Sequence, residues 1–187
     1  GKEPIFRILP YEHKKVGIVT TGSEVYHGRI QDTFTPVIID KVTEYGAEIV
    51  GHEICDDNPE MIEDAIRDLL RRGCNMILCT GGMSVDPDDR TPLAIKNVTG
   101  NVVSYGAPVL PGAMFLLAYY GGDLPVMGLP GCVMYAKRTV FDLVLPRIMA
   151  GEILTKEDLD LLGEGGLCLN CPTCTFPNCG FGKCGSR

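Results

Sequence analysis

Seven carboxylates are the side chains most able to do chemistry in this sequence, and each follows a segment predicted to be a strand: Glu24, Asp32, Asp56, Asp57, Asp86, Asp88 and Asp89. Converging carboxylates repel one another unless water solvates them or a cation binds them. Their oxygens are the ligands that a hard cation such as Mg²⁺ prefers. A bound cation can bridge to a phosphate, which the acids alone would repel. The pattern therefore predicts Mg²⁺-dependent phosphoryl chemistry.

Two glycine turns are the second chemical signal. Thr21-Gly22-Ser23 and Thr80-Gly81-Gly82 each follow an apolar run, and glycine lets backbone N–H groups approach an anionic ligand closely. Such turns also follow strands when no ligand binds, so each turn alone leaves both interpretations open. Arg90 and Lys137 or Arg138 are candidate partners for a phosphate, with ordinary solvated surface charge as the alternative.

The last 20 residues hold five of the nine cysteines, Cys168, Cys171, Cys174, Cys179 and Cys184. A terminal cluster with short gaps is typical of a metal site, whereas disulfide frameworks spread over a small chain. The spacing resembles that of bacterial iron–sulfur ligands, although its last gaps are longer, and four thiolates suit tetrahedral zinc equally well. A reactive tail without a metal is the third alternative. This cysteine usage predicts a reducing, cytoplasmic compartment.

The composition excludes several classes of protein. The 187 residues include 24 acidic and 17 basic side chains, a net charge of −7, whereas nucleic-acid binding needs clustered positive charge. Hydrophobic residues at 45% and charged residues at 22% are typical of a globular chain. No run of about 18 apolar residues occurs, so no membrane span is expected. The chain starts at Gly1 without a signal sequence, and we expect a further domain upstream.

Strands and helices are predicted to alternate along most of the chain. Apolar runs predict strands at 16–20, 47–54, 75–79 and 125–129, with extended segments at 102–109 and 114–120. Helical spacing predicts helices at 30–45, 59–72, 91–97 and 133–148, the last bent or interrupted at Pro146. This alternation predicts an α/β fold, a three-layer α-β-α arrangement around a mostly parallel sheet, with a Cys-rich C-terminal tail.

Four segments follow from this pattern: a linker or arm at 1–15, an α/β domain at 16–150, a short helix with a glycine joint at 151–166, and a Cys-rich metal-binding tail at 167–187. The joint, at residues 163–166, is expected to be flexible because it is nearly all glycine. Ligands of open parallel sheets bind at the carboxyl ends of the strands. The acids and the glycine turns are predicted to lie at that edge.

Five motifs in order resemble the molybdopterin-binding domain family of the MoaB and Mog type: VGIVTTGSEV at 16–25, GRIQDT at 28–33, ICDDNP at 54–59, CTGGMSVDPDDRTPLAI at 79–95 and GLPG at 128–131. The resemblance covers residues 14–150. The first three motifs are most similar to the version in molybdenum insertase (molybdopterin molybdenumtransferase). The Asp-Arg-Thr-Pro sequence at 89–92 instead falls where molybdopterin adenylyltransferase carries an Arg-Asp-x-Thr-Pro motif.

The resemblance implies an enzyme of molybdenum cofactor biosynthesis. Its ligand would be molybdopterin, which the family adenylylates with Mg-ATP before the metal is inserted and AMP is released. The catalytic residues would be Glu24, Asp57 and Asp89, and the Mg²⁺ ligands Asp32, Asp56 and Asp57. The residues that would bind the pterin or its phosphate are Thr21, Gly22, Ser23, Thr80, Gly81, Gly82, Ser84, Pro130 and Gly131. The resemblance also implies a trimer or dimer that works with further domains or other cofactor-synthesis proteins.

One segment departs from the family pattern. After Gly131 the chain reads Cys132-Val133-Met134-Tyr135, where the family has a small polar residue and then proline. This departure leaves two alternatives to the insertase activity, a non-catalytic carrier or sensor module for the pterin and a fold reused for another nucleotide-like ligand. The motif at 89–92 leaves a third, an adenylyltransferase.

Overall fold

The computed structural model describes residues 6–84, 86 and 89–183. Its strands are β1 (Lys15–Thr21), β2 (Glu48–Cys55), β3 (Met76–Thr80), β4 (Val102–Tyr105), β5 (Leu116–Tyr120) and β6 (Leu124–Leu129). They form one sheet in the order β2-β1-β3-β6-β5-β4. β2, β1, β3 and β6 are parallel, and β5 is antiparallel to both of its neighbours. The predicted mostly parallel sheet is confirmed.

The helices are α1 (Ser23–Tyr26), α2 (Phe34–Thr43), α3 (Pro59–Arg71), α4 (Thr91–Thr99), α5 (Cys132–Tyr135), α6 (Val140–Met149) and α7 (Lys156–Leu161). Alternate residues of a strand point to opposite faces of a sheet, so β3 contributes to two cores. Leu78 packs in the cluster that contains α2, α5, α6 and α7, while Ile77 packs in the cluster that contains α3 and α4. Helices therefore cover both faces, as a buried parallel sheet requires.

Local sequence signals determine α3. The side chain of Asn58 accepts a hydrogen bond of 3.1 Å from the N–H of Met61, and Pro59 occupies the first turn, where its missing N–H costs nothing. Ile62 and Ile66 are buried one helical turn apart. The predicted helix and its N-cap are confirmed.

The prediction of one helix over 133–148 is wrong, because the chain interrupts it at residues 136–139 and not at Pro146. Thr139 begins α6, where its hydroxyl accepts from the N–H of Phe141 at 3.2 Å and its own N–H donates to Asp142 at 2.8 Å. This capping box satisfies N–H groups that a helix N-terminus leaves unpaired. Thr139 and Asp142 therefore stabilise a new helix start at this point.

The segments on either side of the α/β domain pack onto it. In the arm, the N–H of Glu12 donates to the carbonyl of Met149 at 2.7 Å. Residues 163–166 were expected to be flexible, but a 3₁₀ helix spans Leu162–Gly165, and a Cβ on Gly166 would overlap the carbonyl oxygen of Pro108. The described tail is fixed at both ends as well, since the N–H of Cys168 donates to Leu110 and that of Gly182 to Gly165, each at 2.8 Å.

Within the described ranges, no helix has the length and hydrophobicity needed to cross a bilayer.

Candidate functional site

The loops after β1, β2 and β3 form an open cleft at the carboxyl edge of the sheet, with a volume of about 430 Å³. That volume lies in the range of small-molecule sites, which is about 300–1,000 Å³. The residues that line it are Thr21, Gly22, Ser23, Glu24, Val25, Ile30, Asp57, Gly82, Asp86 and Asp89. The tertiary structure thus brings together all three predicted catalytic acids, the whole of the first glycine turn and Gly82 of the second.

The first glycine turn is held to the loop after β2 by two hydrogen bonds. The N–H of Ser23 donates to the carboxylate of Asp57 at 2.9 Å, and the N–H of Gly22 donates to the carbonyl of Cys55 at 3.1 Å. Gly22 has φ +140°, a conformation that side chains rarely adopt. Both N–H groups predicted to meet an anion therefore already have protein partners, and this turn positions Asp57.

The second glycine turn passes very close to β1. Gly81 has φ +79°, and a Cβ there would overlap the carbonyl oxygen of Thr21. The hydroxyl of Thr21 also lies 3.0 Å from that of Thr91 at the start of α4. Glycine is thus required at position 81 for the loops after β1 and β3 to meet, and Gly82 follows it into the cleft.

Asp89 is held by the loop that it ends. Its carboxylate accepts from the backbone N–H of Ser84 at 2.5 Å, and the hydroxyl of Tyr105 donates to the carbonyl of Ser84 at 2.9 Å. Burial, followed by the charge of Asp89, raises the pKa of Tyr105, so this hydroxyl remains a donor at neutral pH. Ser84 therefore supports Asp89 and does not line the cleft among the described residues.

Asp32 lies apart from the cleft acids and begins α2. Its carboxylate accepts from the N–H groups of Phe34 at 2.9 Å and Thr35 at 3.0 Å, so the helix predicted from Ile30 begins only at Phe34. Its second oxygen accepts from the hydroxyl of Thr35 at 2.5 Å and lies 3.5 Å from the ring of His52. Desolvation acts to raise the pKa of Asp32, but the hydrogen bonds from Thr35 and Phe34 and the charge of His52 outweigh it and lower that pKa.

The other predicted site residues are distributed around the cleft. Asp56 accepts from the N–H of Asp57 at 2.9 Å and does not line the cleft. Thr80 is fully buried, and the hydroxyl of Thr80 donates to that of Thr20 at 3.3 Å. Pro130 and Gly131 follow β6 and precede α5. Asp88 lies outside the described residues.

The candidate phosphate-binding cations lie in different parts of the structure. Arg90 is exposed at the N-cap of α4. Lys137 and Arg138 line a second cavity, formed by the Cys-rich tail, in place of the cleft. The charged residues described in the cleft wall are Glu24, Asp57, Asp86 and Asp89, all acidic.

Two features of the site were missed from the sequence. Val25 and Ile30 give the cleft an apolar wall, although Ile30 was assigned to a helix stripe. His52 lies in β2, and its ring nitrogen is 2.9 Å from the hydroxyl of Thr20 and 3.2 Å from that of Thr35. The parallel pairing of β1 with β2 places this histidine beside α2, and no local motif marks it.

No group of three or more His, Cys, Asp or Glu side chains within the described ranges is placed to hold a single metal ion. This holds for the cleft acids and for the described tail thiols, Cys168, Cys171, Cys174 and Cys179. Cys184 lies outside the described residues. The predictions of Mg²⁺ and of a tail metal therefore stay predictions.

A mostly parallel sheet with a polar cleft at its carboxyl edge places this chain in the class of open α/β folds, in which small ligands bind at that edge. Residues 17–150 match the family described as "Probable molybdopterin binding domain". Because the match spans more than half of the chain, the chain belongs to the molybdopterin-binding domain family.

Three similar proteins illustrate the range of this family. A CinA-like protein of Mycobacterium avium is 37% identical over 95 residues, which are 51% of this chain and 22% of the relative, so the chain spans about a fifth of the curated relatives it matches. The molybdopterin biosynthesis enzyme MoaB of Thermus thermophilus superposes with a TM-score of 0.61 and 25% identity, covering 72% of this chain and 91% of that chain. MoaB of Pyrococcus furiosus, a tungsten cofactor synthesizing protein, has a TM-score of 0.55 at 20% identity, covering 65% and 84%.

Proposed function

We propose that the chain binds molybdopterin with Mg²⁺ in the cleft at the carboxyl edge of the sheet. We further propose that it acts in molybdenum cofactor biosynthesis on the adenylylated form, in metal insertion with release of AMP. One observation carries the proposal: four carboxylates, Glu24, Asp57, Asp86 and Asp89, line a cleft in a chain of the molybdopterin-binding family. A pterin phosphate is anionic, so it needs a cation to enter such a cleft.

The residues have separate roles in this proposal. Asp57 and Asp89, each fixed by a backbone N–H, would hold Mg²⁺ against the phosphate. Mg²⁺ would neutralise charge that develops on the phosphoryl oxygens. Val25 and Ile30 would contact the flat pterin ring, and the glycine turn at 81–82 would let the ligand approach the backbone. Glu24 is exposed at the first turn of α1, where it can orient an attacking water.

The test is an anaerobic titration of the chain with molybdopterin, with and without Mg²⁺. Binding should be tight and at least about tenfold weaker without Mg²⁺, a difference of about 1.4 kcal/mol. Asp57→Asn and Asp89→Asn should remove the Mg²⁺ dependence, while Glu60→Gln, an exposed acid of α3, should preserve it. A binding affinity for molybdopterin that changes neither on removal of Mg²⁺ nor in the Asp57→Asn and Asp89→Asn variants would contradict the proposal.

Turnover distinguishes an enzyme from a carrier. The chain is incubated with adenylylated molybdopterin, Mg²⁺ and molybdate or tungstate, and AMP is measured. Release of AMP supports the enzyme. Mg²⁺-dependent binding of molybdopterin without release of AMP supports the carrier or sensor. AMP incorporation from Mg-ATP supports the adenylyltransferase. Light scattering in solution tests the trimer or dimer, and fractionation of the source cells tests the cytoplasmic location.

A second candidate function rests on the segment after the GLPG turn. Cys132 and Val133 stand where the family has a small polar residue and then proline, and the hydroxyl of Thr33 donates to the sulfur of Met134 in the same segment at 3.1 Å. Many curated relatives are CinA-like. In this second function the cleft binds another nucleotide-like ligand. Binding of nucleotides with Mg²⁺, together with no binding of molybdopterin, would favour it.

A further inference from the structure

The tail folds against the segment between α5 and α6 and forms a second cavity of about 90 Å³. Its wall includes Cys168, Cys171, Cys174 and Cys179, all of them free thiols. Leu167, Leu169, Phe176 and Phe181 make the rest of the wall largely apolar. Four thiols that are separated along the chain therefore face one space.

All four thiols line one cavity, and no three Cys, His, Asp or Glu side chains of the described residues are placed to share a single ion. Tetrahedral zinc would draw its four sulfur ligands to about 2.3 Å from one centre. An iron–sulfur cluster has several iron atoms, and each takes its own thiolate, so the ligands stand apart around it. The cavity is also several times larger than the space of about 10–15 Å³ that, measured in the same way, holds one water molecule.

The cavity wall is cationic, although the chain as a whole is acidic. Lys137 and Arg138 both line it. The Arg138 guanidinium is fixed by a hydrogen bond of 3.0 Å to Asp142 and lies 4.8 Å from the centre of the Phe176 ring. It also contacts the side chain of Cys174. Lys137 donates to the carbonyl of Pro172 in the tail at 3.3 Å. Two cations held beside four thiols favour a ligand that carries negative charge.

Between its two fixed ends the tail has no helix or strand. Residues 168–183 contain no helix, and Cys171 and Cys174 are exposed. Phe181, 5% exposed, attaches the end of the segment to the core. A short segment without regular structure gains order when a metal centre binds several of its side chains.

We propose that the tail binds a [4Fe–4S] cluster through Cys168, Cys171, Cys174 and Cys179. Each thiol releases its proton on binding. Two ferrous, two ferric and four sulfide ions with four thiolates leave a net charge of −2, which Lys137 offsets together with the part of the Arg138 charge that Asp142 does not balance. The site is separate from the pterin cleft and does not depend on the proposed function.

The test is anaerobic reconstitution of the full chain with ferrous and ferric iron and sulfide, followed by desalting. We expect about four iron and four sulfide ions per chain and a visible absorption that bleaches with dithionite. Cys171→Ala and Cys174→Ala replace exposed side chains, so they should retain the fold and lose more than half of the iron. Cys132→Ala, a thiol outside the cavity, is the matched control and should retain all of it. Circular dichroism checks the fold of each variant.

Three results would overturn the proposal. The first is one zinc ion per chain with no retained iron and sulfide. The second is equal iron in the tail variants and in the control, which indicates nonspecific uptake. The third is loss of the cluster in Cys184→Ala but not in Cys179→Ala, which would overturn this set of ligands. None of these results depends on whether molybdopterin binds.

Discussion

The carboxylate of Asp57 accepts a hydrogen bond of 2.9 Å from the backbone N–H of Ser23, and so joins the loop after β2 to the loop after β1. The two strands are adjacent and parallel, so residues far apart in sequence meet at one edge. A metal or phosphate ligand binds more tightly when its first contacts are already positioned. This bond fixes one acid of the cleft before any ligand arrives.

Asp57→Asn and Asp57→Ala should therefore differ. Asparagine keeps an oxygen that can accept from Ser23, so the free energy of unfolding should change by less than about 0.5 kcal/mol. Alanine removes the acceptor and should cost about 1 kcal/mol. Both variants should lose Mg²⁺-dependent binding of molybdopterin. Urea unfolding and titration are the two measurements, and equal stability of the two variants would show that the bond to Ser23 does not matter.

Gly81→Ala should disturb the cleft more than its backbone conformation alone predicts. The variant has an unfavourable φ and a Cβ that overlaps the carbonyl oxygen of Thr21. Gly121→Ala is the matched control, because Gly121 has φ +65° with no atom within 4 Å of the added Cβ. The free energy of unfolding of the control should fall by about 1–2 kcal/mol. That of Gly81→Ala should fall further, and this variant should also bind the ligand more weakly. Equal losses in urea unfolding would contradict the close approach.

Asp32→Asn should destabilise the chain in a pH-dependent way. The folded-state pKa of Asp32 is lowered, so its ionised form contributes stability above the ordinary pKa of 3.8, and that contribution is lost as the pH falls through the lower folded pKa. At pH 7 the free energy of unfolding of the variant should fall by about 1 kcal/mol, because an asparagine oxygen still accepts from Phe34 and Thr35 but a neutral acceptor forms weaker hydrogen bonds than a carboxylate. The difference from the wild type should shrink below about pH 4.

The control for Asp32 is Asp40→Asn, at an exposed position of α2. The free energy of unfolding of this control should differ little from that of the wild type across the pH series. Urea unfolding at a series of pH values measures both variants. A loss for Asp32→Asn that stays constant from pH 7 to acid would show that the ionised carboxylate is not what stabilises α2.

In the metal-free chain, Cys174 and Cys55 should react with an alkylating reagent at different rates. A hydrogen bond from the backbone of Phe176 lowers the pKa of Cys174 and outweighs desolvation, and Arg138 adds to the effect. Burial raises the pKa of Cys55 to about 11. Because the thiolate is the nucleophile, iodoacetamide should modify Cys174 at a lower pH than a model thiol, and Cys55 only after unfolding.

Mass spectrometry of the labelled peptides makes this measurement at each pH. Arg138→Gln should move the half-maximal pH of Cys174 labelling upward, because a positive charge near the thiolate is removed. Lys156→Gln, at an exposed position of α7, is the control. Labelling of Cys55 as fast as that of Cys174 in the native chain would contradict the buried position of Cys55.

The order of the elements was predictable because local patterns carry it. Alternating apolar runs located the strands, and Asn58 with Pro59 located the start of α3. Parallel strands expose their carboxyl ends at a common edge, so the sequence also predicted that Glu24, Asp57 and Asp89 would meet there. The five family motifs indicated the same fold, and the family match confirms it.

The tertiary structure decided which of the candidate residues share a site. Asp32 resembles the cleft acids in sequence, but the N–H groups of α2 and the ring of His52 bind its carboxylate. Arg138 resembles a phosphate ligand, but the packing of the tail and Asp142 place it beside Phe176. Local sequence specifies helices and strands through short-range hydrogen bonds and periodicity. The partner of a charged side chain depends on long-range packing, and only the folded chain determines it.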